Sequence, residues 1–401
     1  MKKDNESDDC TTPGNQKSDT KSIKNSLWSE ILTKRDNAGD DSAASVAKFF
    51  STALLQNIAS EAIKSLEINV KVKTPTQGNL TTILRNLKAS FKEENLVLVL
   101  GAGISLDYKI PTWNELLRRL LARALQDTNE NQQMVATLFN QVFGPNALIA
   151  ARYLKLHFDN TKFPLEKEIQ KVLYEFYDNT ESQTLKAIKK LCISAGKAPG
   201  LDSVITYNYD DILEQTLQNA DVGIKFKIIS KTGQHAKNDE LPIYHVHGHL
   251  PLNGKFEIDD SLVLSDESYH RQYMDLYHWS NMVQLNKFKD NNCLFIGHSF
   301  TDPNLRRLLD AAKKLRGNDL RPHYLIKCRH SKKDVVDNIN RILRDSSAEL
   351  AENFDNIDNI ASSLLDTVHK FEEIDANSFG VNVIWIDDFK EIGPILTELT
   401  Q

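Results

Sequence analysis

The apolar residues of this chain alternate between short continuous runs and helical spacing, and this alternation predicts strands separated by helices. Leu96–Leu100 is entirely apolar, which is typical of a strand buried on both faces of a sheet. Further, mostly apolar runs of strand length lie at residues 202–207, 243–246, 293–296, 323–327 and 382–386. Strands that alternate with helices in this way indicate an α/β fold with a parallel sheet and helices on both of its faces.

A glycine turn, Gly101-Ala102-Gly103, follows the first apolar run. Because glycine has no Cβ, such a turn allows a sharp change of direction and the close approach of a ligand to the backbone. Thr112 is then well placed to cap a helix in which Trp113 and the following leucines recur at helical spacing. Strand, glycine turn and helix form the opening unit of nucleotide-binding α/β domains. The turn lacks the third glycine of GxGxxG, so by itself the motif is a weak signal.

The remaining chain divides by composition into a tail, two extensions and one large domain. Residues 1–22 are polar and predict a disordered tail. Residues 23–74 predict a helical extension with one apolar face, which packs either on the chain's own core or on another subunit. Residues 75–330 hold the main α/β pattern, with a helical insertion at about 113–200 that should cover one side of a cleft. Residues 331–401 predict a helical C-terminal extension with one strand.

Charge and cysteine content exclude several classes of protein. The 401 residues carry a formal net charge of −6 and no basic run, which argues against a general affinity for nucleic acid. The four cysteines are far apart, so they predict neither a zinc site of the CxxC type nor a disulfide framework. No apolar leader begins the chain and no run approaches membrane-spanning length, so we expect a cytoplasmic protein without a membrane contact.

Polar groups and glycines follow four of the predicted strands. They are Gly101 to Gly103, Asn208 with Asp210, His247 with Gly248, and Gly297 to Ser299 with Asp302. Ligands of parallel sheets bind beyond the carboxyl ends of the strands. The sequence therefore predicts that these groups meet at one site.

Several of these residues also have a purely structural interpretation. Asn208 is suited to starting a turn, and Asp210 to capping the helix that follows it. His245, His247 and His249 alternate along a predicted strand and would share one face, so spacing alone does not choose between them. A metal site built from these three histidines would lack a nearby carboxylate, which disfavours it.

Two further aromatic residues near the predicted site are ambiguous. Trp113 has helical spacing with its apolar neighbours, which is more typical of a core residue than of a platform for a ligand. His298 follows a predicted strand and either enters the pocket or occupies a surface loop, of which we expect the loop position.

Four motifs together resemble the SIR2-like (sirtuin-type) NAD-binding domain, in the branch found in bacterial anti-phage defence proteins that hydrolyse NAD+. The motifs are GAGIS at 101–105 with Ile110-Pro111, TYNYD at 206–210, HVHG at 245–248 and FIGHSFTDPNL at 295–305. The resemblance covers about residues 79–328 and implies a Rossmann-like parallel sheet. Each motif is short, but four of them in this order are specific.

The resemblance also implies roles for individual residues. Asn208 and Asp210 match an Asn-x-Asp pair near the nicotinamide ribose, and His247 matches a general base that precedes a glycine. The residues expected to contact the dinucleotide are Gly101, Ala102, Gly103, Ile104 and Ser105 at the pyrophosphate and adjoining ribose, Pro111 and Trp113 in the closing loop, and Gly297, Ser299 and Asp302 at the adenosine half.

The sequence departs from the family pattern in two ways. The paired cysteines that hold the zinc ribbon of deacylases are missing, which puts protein deacetylation in doubt. The arginine that follows Pro-Asp-Phe in the family is also missing, since Pro111 is followed by Thr112-Trp113-Asn114.

The function implied is an NAD+ glycohydrolase that releases nicotinamide and ADP-ribose and depletes NAD+ in phage defence, with NAD+ as substrate and no metal. Its restraint would come from homo-oligomerisation or from a regulatory protein partner of the same system. The alternatives are a module that senses NAD+ or ADP-ribose without turnover, and a zinc-independent deacylase or ADP-ribosyltransferase.

Overall fold

A computed structural model describes residues 80–125, 146–161, 164–192, 200–219, 223–254, 256, 262–317, 321–346 and 357–401. The chain divides into two compact units. The first comprises Met1–Lys71 and Lys332–Ser363, and the second comprises Val72–Ser331 and Leu364–Gln401. The tail predicted at 1–22 and nearly all of the extension predicted at 23–74 lie outside the described residues.

The helices and strands of the described residues follow one another along the chain as listed here. They are α1 (Leu80–Lys92), β1 (Leu96–Leu100), a 3₁₀ helix (Ala102–Tyr108), α2 (Trp113–Ala124), α3 (Ala147–Asp159), α4 (Leu165–Leu173), α5 (Gln183–Cys192), β2 (Leu201–Thr206), α6 (Ile212–Gln218), β3 (Phe226–Ile229), β4 (Leu241–His245), α7 (Asp266–Met274), α8 (Trp279–Asp290), β5 (Asn292–Ile296), α9 (Pro303–Arg316), β6 (His323–Cys328), α10 (Lys332–Ser346), α11 (Ile357–Ser378), β7 (Val381–Ile386), a second 3₁₀ helix (Phe389–Glu391) and α12 (Ile392–Glu398).

Seven strands of the described chain form one sheet in the order β3-β4-β2-β1-β5-β6-β7, and every neighbouring pair is parallel. The predicted α/β fold with a parallel sheet is therefore confirmed. On one side of β1 lies β2, followed by β4 and then by β3 at the edge; the chain then crosses from β4 to β5 on the other side of β1 and continues outward to β6 and β7. The switch in direction thus falls between β1 and β5. A crevice at the carboxyl ends of two such strands is where open α/β sheets bind their ligands.

The side chains of β1 belong to two cores, one on each face of the sheet. All five of its residues are fully buried. Leu96, Leu98 and Leu100 pack in one hydrophobic cluster, and Val97 and Val99 pack in the other. Because side chains alternate across a strand, a continuous apolar run is what a strand covered on both faces requires. Burial of each such side chain contributes about 1.5 to 3 kcal/mol.

The structure contains one strand that the sequence pattern did not predict. β3 is short, lies at the edge of the sheet, and has only Ile229 buried. Its pattern is weak because an edge strand does not need two apolar faces. The neighbouring strand β4 begins and ends earlier than predicted, since it spans Leu241–His245 rather than 243–246.

The helix start predicted at Thr112 is confirmed, and a second helix begins at a capping residue of the same kind. The Thr112 hydroxyl accepts a hydrogen bond from the Glu115 amide at the start of α2. Asp302 accepts one from the Leu305 amide at the start of α9, which has Pro303 in its first turn.

The strand of the predicted C-terminal extension joins the same sheet as the strands of the large domain. The strand predicted in the C-terminal extension is β7, which pairs with β6 as an edge strand. Helices α2 to α5 lie within the predicted insertion at 113–200. The domain limits themselves stay a prediction. Within the described ranges, none of the helices has both the length and the apolar character needed to cross a membrane.

Candidate active site

The glycine turn after β1 packs directly against the turn after β5. A Cβ placed on Gly101 would lie 2.6 Å from the Gly297 carbonyl oxygen, and one on Gly103 would lie 2.7 Å from the Gly297 Cα. Gly297 itself has φ +64°, and a Cβ there would lie 2.7 Å from the Ile104 amide nitrogen. The Gly103 amide also donates a hydrogen bond of 2.9 Å to the Gly297 carbonyl. These glycines are therefore required by the contact between two protein turns, a reason that the sequence pattern did not supply.

Ser105 joins the first turn to the predicted catalytic residues. The 3₁₀ helix Ala102–Tyr108 carries Ser105, whose side chain is fully buried. The Ser105 hydroxyl donates a 3.0 Å hydrogen bond to Asp210 Oδ1, and it accepts one of 3.2 Å from Asn208 Nδ2. Three side chains from the ends of β1 and β2 thus form one hydrogen-bonded chain. The resemblance predicted that Ser105 contacts the dinucleotide, and the structure places its hydroxyl between Asn208 and Asp210.

Asp210 both accepts a hydrogen bond at the start of the helix that follows it and takes part in the predicted site. Its Oδ1 accepts the Ile212 amide at the start of α6, which is a structural role, and it accepts the Ser105 hydroxyl within the site. Burial raises the pKa of Asp210 to about 6, although both hydrogen bonds oppose the shift. The carboxyl group therefore changes charge close to neutral pH.

The backbone of Asn208 is held from both sides. Its amide donates to the Thr206 hydroxyl at 3.1 Å, and its carbonyl faces His245 Nδ1 at 3.2 Å. A carbonyl only accepts, so the Nδ1 atom of His245 carries a hydrogen. His245 Nε2 is in turn paired with Glu214 Oε1 at 2.8 Å. This buried pair supports the turn that presents Asn208.

Burial and pairing act in opposite directions on His245. Burial lowers its pKa, but the neighbouring Glu214 carboxylate and the Asn208 carbonyl outweigh this effect and raise it. Sequence reasoning missed Glu214. It stands in the first turn of a short helix, where an acidic residue is expected for reasons of the helix dipole alone.

The three histidines do not share one face, so that prediction is wrong. β4 ends at His245, and the backbone turns before His247 and His249. The His249 ring lies 4.4 Å from the His245 ring, whereas His247 packs against Tyr207 with a ring distance of 4.7 Å. Among the residues that the structure describes, no group of three His, Cys, Asp or Glu side chains is placed to hold a metal ion. The His247 ring thus packs against Tyr207, whereas the His245 and His249 rings pack against each other.

His247 lies beside a carboxylate. Its Nε2 is 3.4 Å from Asp302 Oδ2, in ion-pair range, yet the N–H direction does not meet hydrogen-bond geometry. The Tyr269 hydroxyl donates to the same Oδ2 at 2.5 Å. Burial lowers the pKa of His247, and Asp302 opposes this shift. The resemblance placed Asp302 at the adenosine half of the dinucleotide, whereas the structure places it next to the predicted general base.

Asn208 and His247 follow neighbouring strands at equivalent positions. Thr206 of β2 pairs with His245 of β4, so each predicted catalytic residue lies two positions beyond a paired one. Tyr207 connects them, since it precedes Asn208 and packs its ring edge-on against His247. The two residues are only 6% and 7% exposed. The structure therefore brings the predicted amide and imidazole to one edge of the sheet.

The other predicted residues occupy different surroundings. Pro111 lines a cavity of about 630 Å³ with Arg119 and Phe176. Trp113 is half-buried against the core and 6.5 Å from the Tyr209 ring, which agrees with its structural interpretation. Ser299 is exposed and lines a separate cavity of about 340 Å³.

His298 lies in the loop after β5 and is half-buried there. Its ring lies 4.8 Å from Tyr207, and its Nδ1 accepts the Phe300 amide at 2.9 Å. Burial lowers the pKa of His298 to about 4, so the imidazole is neutral at neutral pH. The side chain therefore belongs to the wall around Tyr207 and His247.

Part of this chain matches a known family model, and the chain is similar to several known proteins. Residues 202–350 match the family model described as SIR2-like domain, and this range includes Asn208, Asp210, His247 and Asp302. A protein named NAD(+) hydrolase ThsA from Enterococcus faecium is 22% identical over 325 residues, which are 80% of this chain and 58% of that protein.

Two other relatives carry the same name. The one from Bacillus cereus (strain MSX-D12) is 22% identical over 257 residues, or 63% of this chain and 48% of the relative. The one from Cytobacillus dafuensis is 24% identical over 253 residues, or 60% and 43%. This chain thus spans about half the length of the curated relatives that it matches.

Proposed function

We propose that this chain, in which residues 202–350 match the SIR2-like family model, is an NAD+ glycohydrolase that releases nicotinamide and ADP-ribose. The observation that carries the proposal is the pair formed by Asn208 and His247, which follow adjacent parallel strands and are both buried. The relatives named NAD(+) hydrolase support it. The dinucleotide would lie beyond the carboxyl ends of β1 and β5, between which the order of strand addition reverses.

The bond to be broken joins the nicotinamide nitrogen to C1′ of the ribose. Its cleavage develops positive charge on the sugar, as in other glycoside hydrolyses. The bonding electrons return to the nicotinamide ring, which is already cationic in NAD+ and therefore leaves without being protonated. Water then forms a bond to C1′ and loses one proton. The protein must hold the ribose, accept that proton and favour the transient cation.

Each of these tasks has a candidate group at the site. Neutral His247 accepts the proton from water, either directly or through a ribose hydroxyl, and passes it to solvent. Asn208 offers an amide donor and acceptor to orient the water or the ribose. Asp210 has its pKa near 6, so at neutral pH its negative charge favours the developing sugar cation. The Ser105 hydroxyl fixes the orientation of the Asn208 and Asp210 side chains by hydrogen bonding to both.

The proposal is tested by incubating the purified protein with NAD+ and measuring nicotinamide and ADP-ribose by chromatography. We expect Asn208→Ala and His247→Ala to lower the rate at least about 100-fold, the usual contribution of a positioned acid or base. Asp388→Asn is a suitable control, because Asp388 caps the exposed 3₁₀ helix Phe389–Glu391. Measurable product release that is equal in the wild type and both site variants would contradict the proposal.

We further propose that the enzyme acts in phage defence and is restrained until a trigger, a partner protein or a change of oligomeric state releases it. An NAD+ hydrolase that worked continuously would harm its own cell, which is the reason to expect restraint. The assay should therefore be repeated with extracts of phage-infected and uninfected cells, together with native mass spectrometry. A lone monomer with constant activity in all conditions would contradict the restraint. Binding of NAD+ without turnover in every condition would instead indicate a sensing module.

A further inference from the structure

His247 is surrounded by side chains from four segments of the chain. Tyr207 follows β2, Tyr269 lies in α7, His298 follows β5, and Asp302 begins α9. Burial raises the pKa of both tyrosines and lowers the pKa of His298 to about 4, so all three are neutral at neutral pH. Asp302 is the acidic member of this group, and its carboxylate faces the imidazole.

The two oxygens of Asp302 have different partners. Oδ1 accepts the Leu305 amide at 2.6 Å and so caps α9. Oδ2 accepts the Tyr269 hydroxyl and lies 3.4 Å from His247 Nε2. A helix cap needs only one carboxylate oxygen, which leaves Oδ2 turned toward the site.

Within the described part of the chain, the buried Nε2 atom of His247 makes no hydrogen bond. An unpartnered buried polar group costs about 1 to 3 kcal/mol, so a small rotation of the ring toward Asp302 is favourable. Hydrogen bonds within catalytic sites are often long before substrate binds.

We propose that Asp302 is a positioning residue for His247, an inference that rests on the proposed hydrolysis for its catalytic meaning. Asp302 Oδ2 holds the imidazole hydrogen on Nε2 and leaves the lone pair on Nδ1. Nδ1 then accepts the proton released from water, and the Asp302 carboxylate stabilises the resulting imidazolium. This division of roles follows the general logic of a base oriented by a buried acid.

The competing explanation is that Asp302 only caps α9. Asp302→Asn separates the two, because asparagine retains an oxygen for the Leu305 amide but removes the charge. Tyr269→Phe acts in the opposite direction, because it frees Oδ2 from its hydroxyl donor. Asp388→Asn is the matched control, since Asp388 caps an exposed 3₁₀ helix by accepting the Lys390 amide.

The decisive measurement is the protonation of His247 by long-range 1H–15N NMR on histidine-labelled protein, with His247→Gln used to assign the signal. In the wild type we expect the neutral ring to carry its hydrogen on Nε2. In Asp302→Asn we expect a mixture of tautomers and a lower pKa, because the charge that favours the imidazolium is gone. Tyr269→Phe should raise the pKa, and Asp388→Asn should leave it unchanged. A hydrogen on Nδ1 in the wild type, or an unchanged signal in Asp302→Asn, would overturn the proposal.

Kinetics test the catalytic consequence separately. In Asp302→Asn we expect kcat to fall about 10- to 100-fold with little change in KM, since general-base catalysis as a whole contributes about 10² to 10⁴. The acid limb of the pH profile should move to lower pH, in parallel with the NMR pKa. An unchanged pH profile would refute the positioning role. If the NMR results hold but no form of the protein consumes NAD+, the proposed function fails while the pairing of the two residues stands.

Discussion

The side-chain amide of Asn208 donates a hydrogen bond to the Ser105 hydroxyl, 3.2 Å away, and thereby ties the turn after β2 to the turn after β1. Ser105 passes the connection on to Asp210 through its own 3.0 Å hydrogen bond. The hydroxyl can serve both neighbours because it donates and accepts at once. The orientation of the proposed catalytic amide thus depends on a residue of the 3₁₀ helix that follows β1.

Replacing Ser105 should therefore impair the site without removing any proposed catalytic group. In Ser105→Ala, Asn208 loses an acceptor and Asp210 loses a donor that lowers its pKa. We expect NAD+ hydrolysis to fall about 10-fold, from the loss of hydrogen bonds worth about 1 kcal/mol each. We also expect any acid limb that reports Asp210 to move to higher pH. Ser105→Thr, which retains the hydroxyl, is the control, and equal activity of the alanine variant and the wild type would contradict the role.

The buried pair of His245 and Glu214 should be important for stability. Glu214→Ala leaves His245 without its acidic partner, and breaking a buried pair in this way costs about 3 to 5 kcal/mol. Glu214→Gln should cost less, because an amide of the same size can still hydrogen-bond to Nε2. The measurement is the free energy of unfolding from urea titrations. Similar losses in the two variants would show that volume rather than pairing matters.

Asp210 should make stability depend on pH. Its folded-state pKa of about 6 lies above the model-peptide value of 3.8, so the folded state binds the proton more tightly than the unfolded state. This contribution to stability is complete below about pH 4 and is lost as the pH rises through about 6. The loss amounts to about 3 kcal/mol, since one pKa unit corresponds to about 1.4 kcal/mol.

Asp210→Asn removes this titration and provides the test. The variant should gain stability relative to the wild type as the pH rises from about 4 to 7, while its proposed NAD+ hydrolysis falls. Such an exchange of stability for activity is common at sites that hold buried charge. Urea titrations of both proteins at several pH values give the difference, and a difference independent of pH would refute the argument.

The contact between the turns after β1 and β5 should be intolerant of a methyl group. Gly297→Ala would place a Cβ 2.7 Å from the Ile104 amide nitrogen at a position with positive φ. We therefore expect the free energy of unfolding to fall by at least about 2 kcal/mol and the proposed NAD+ hydrolysis to be lost. Gly233→Ala is the control, since Gly233 also has a positive φ of +84° but no atom of the described residues within 4 Å of the added Cβ. The control should lose only about 1 kcal/mol. Thermal unfolding compares the two, and equal losses would show that backbone strain alone explains the effect.

Several elements followed directly from local sequence. β1 was evident because five consecutive apolar residues suit a strand covered on both faces, and the start of α2 was evident because Thr112 is a capping residue. β3 was missed because an edge strand with one buried residue has almost no pattern. The motifs also carried the resemblance that the match to the SIR2-like family model supports.

The sequence by itself determined the α/β alternation, the caps, and which residue types follow each strand, because these depend on neighbours a few positions apart. Only the tertiary structure decided which histidine faces Tyr207, because β4 ends before His247 and the chain then turns. The tertiary structure also decided that Asp302 lies beside His247 and that Gly101 and Gly103 pack against Gly297. Those contacts join segments far apart in the chain, and sheet order, which brings them together, is set by the packing of the whole domain.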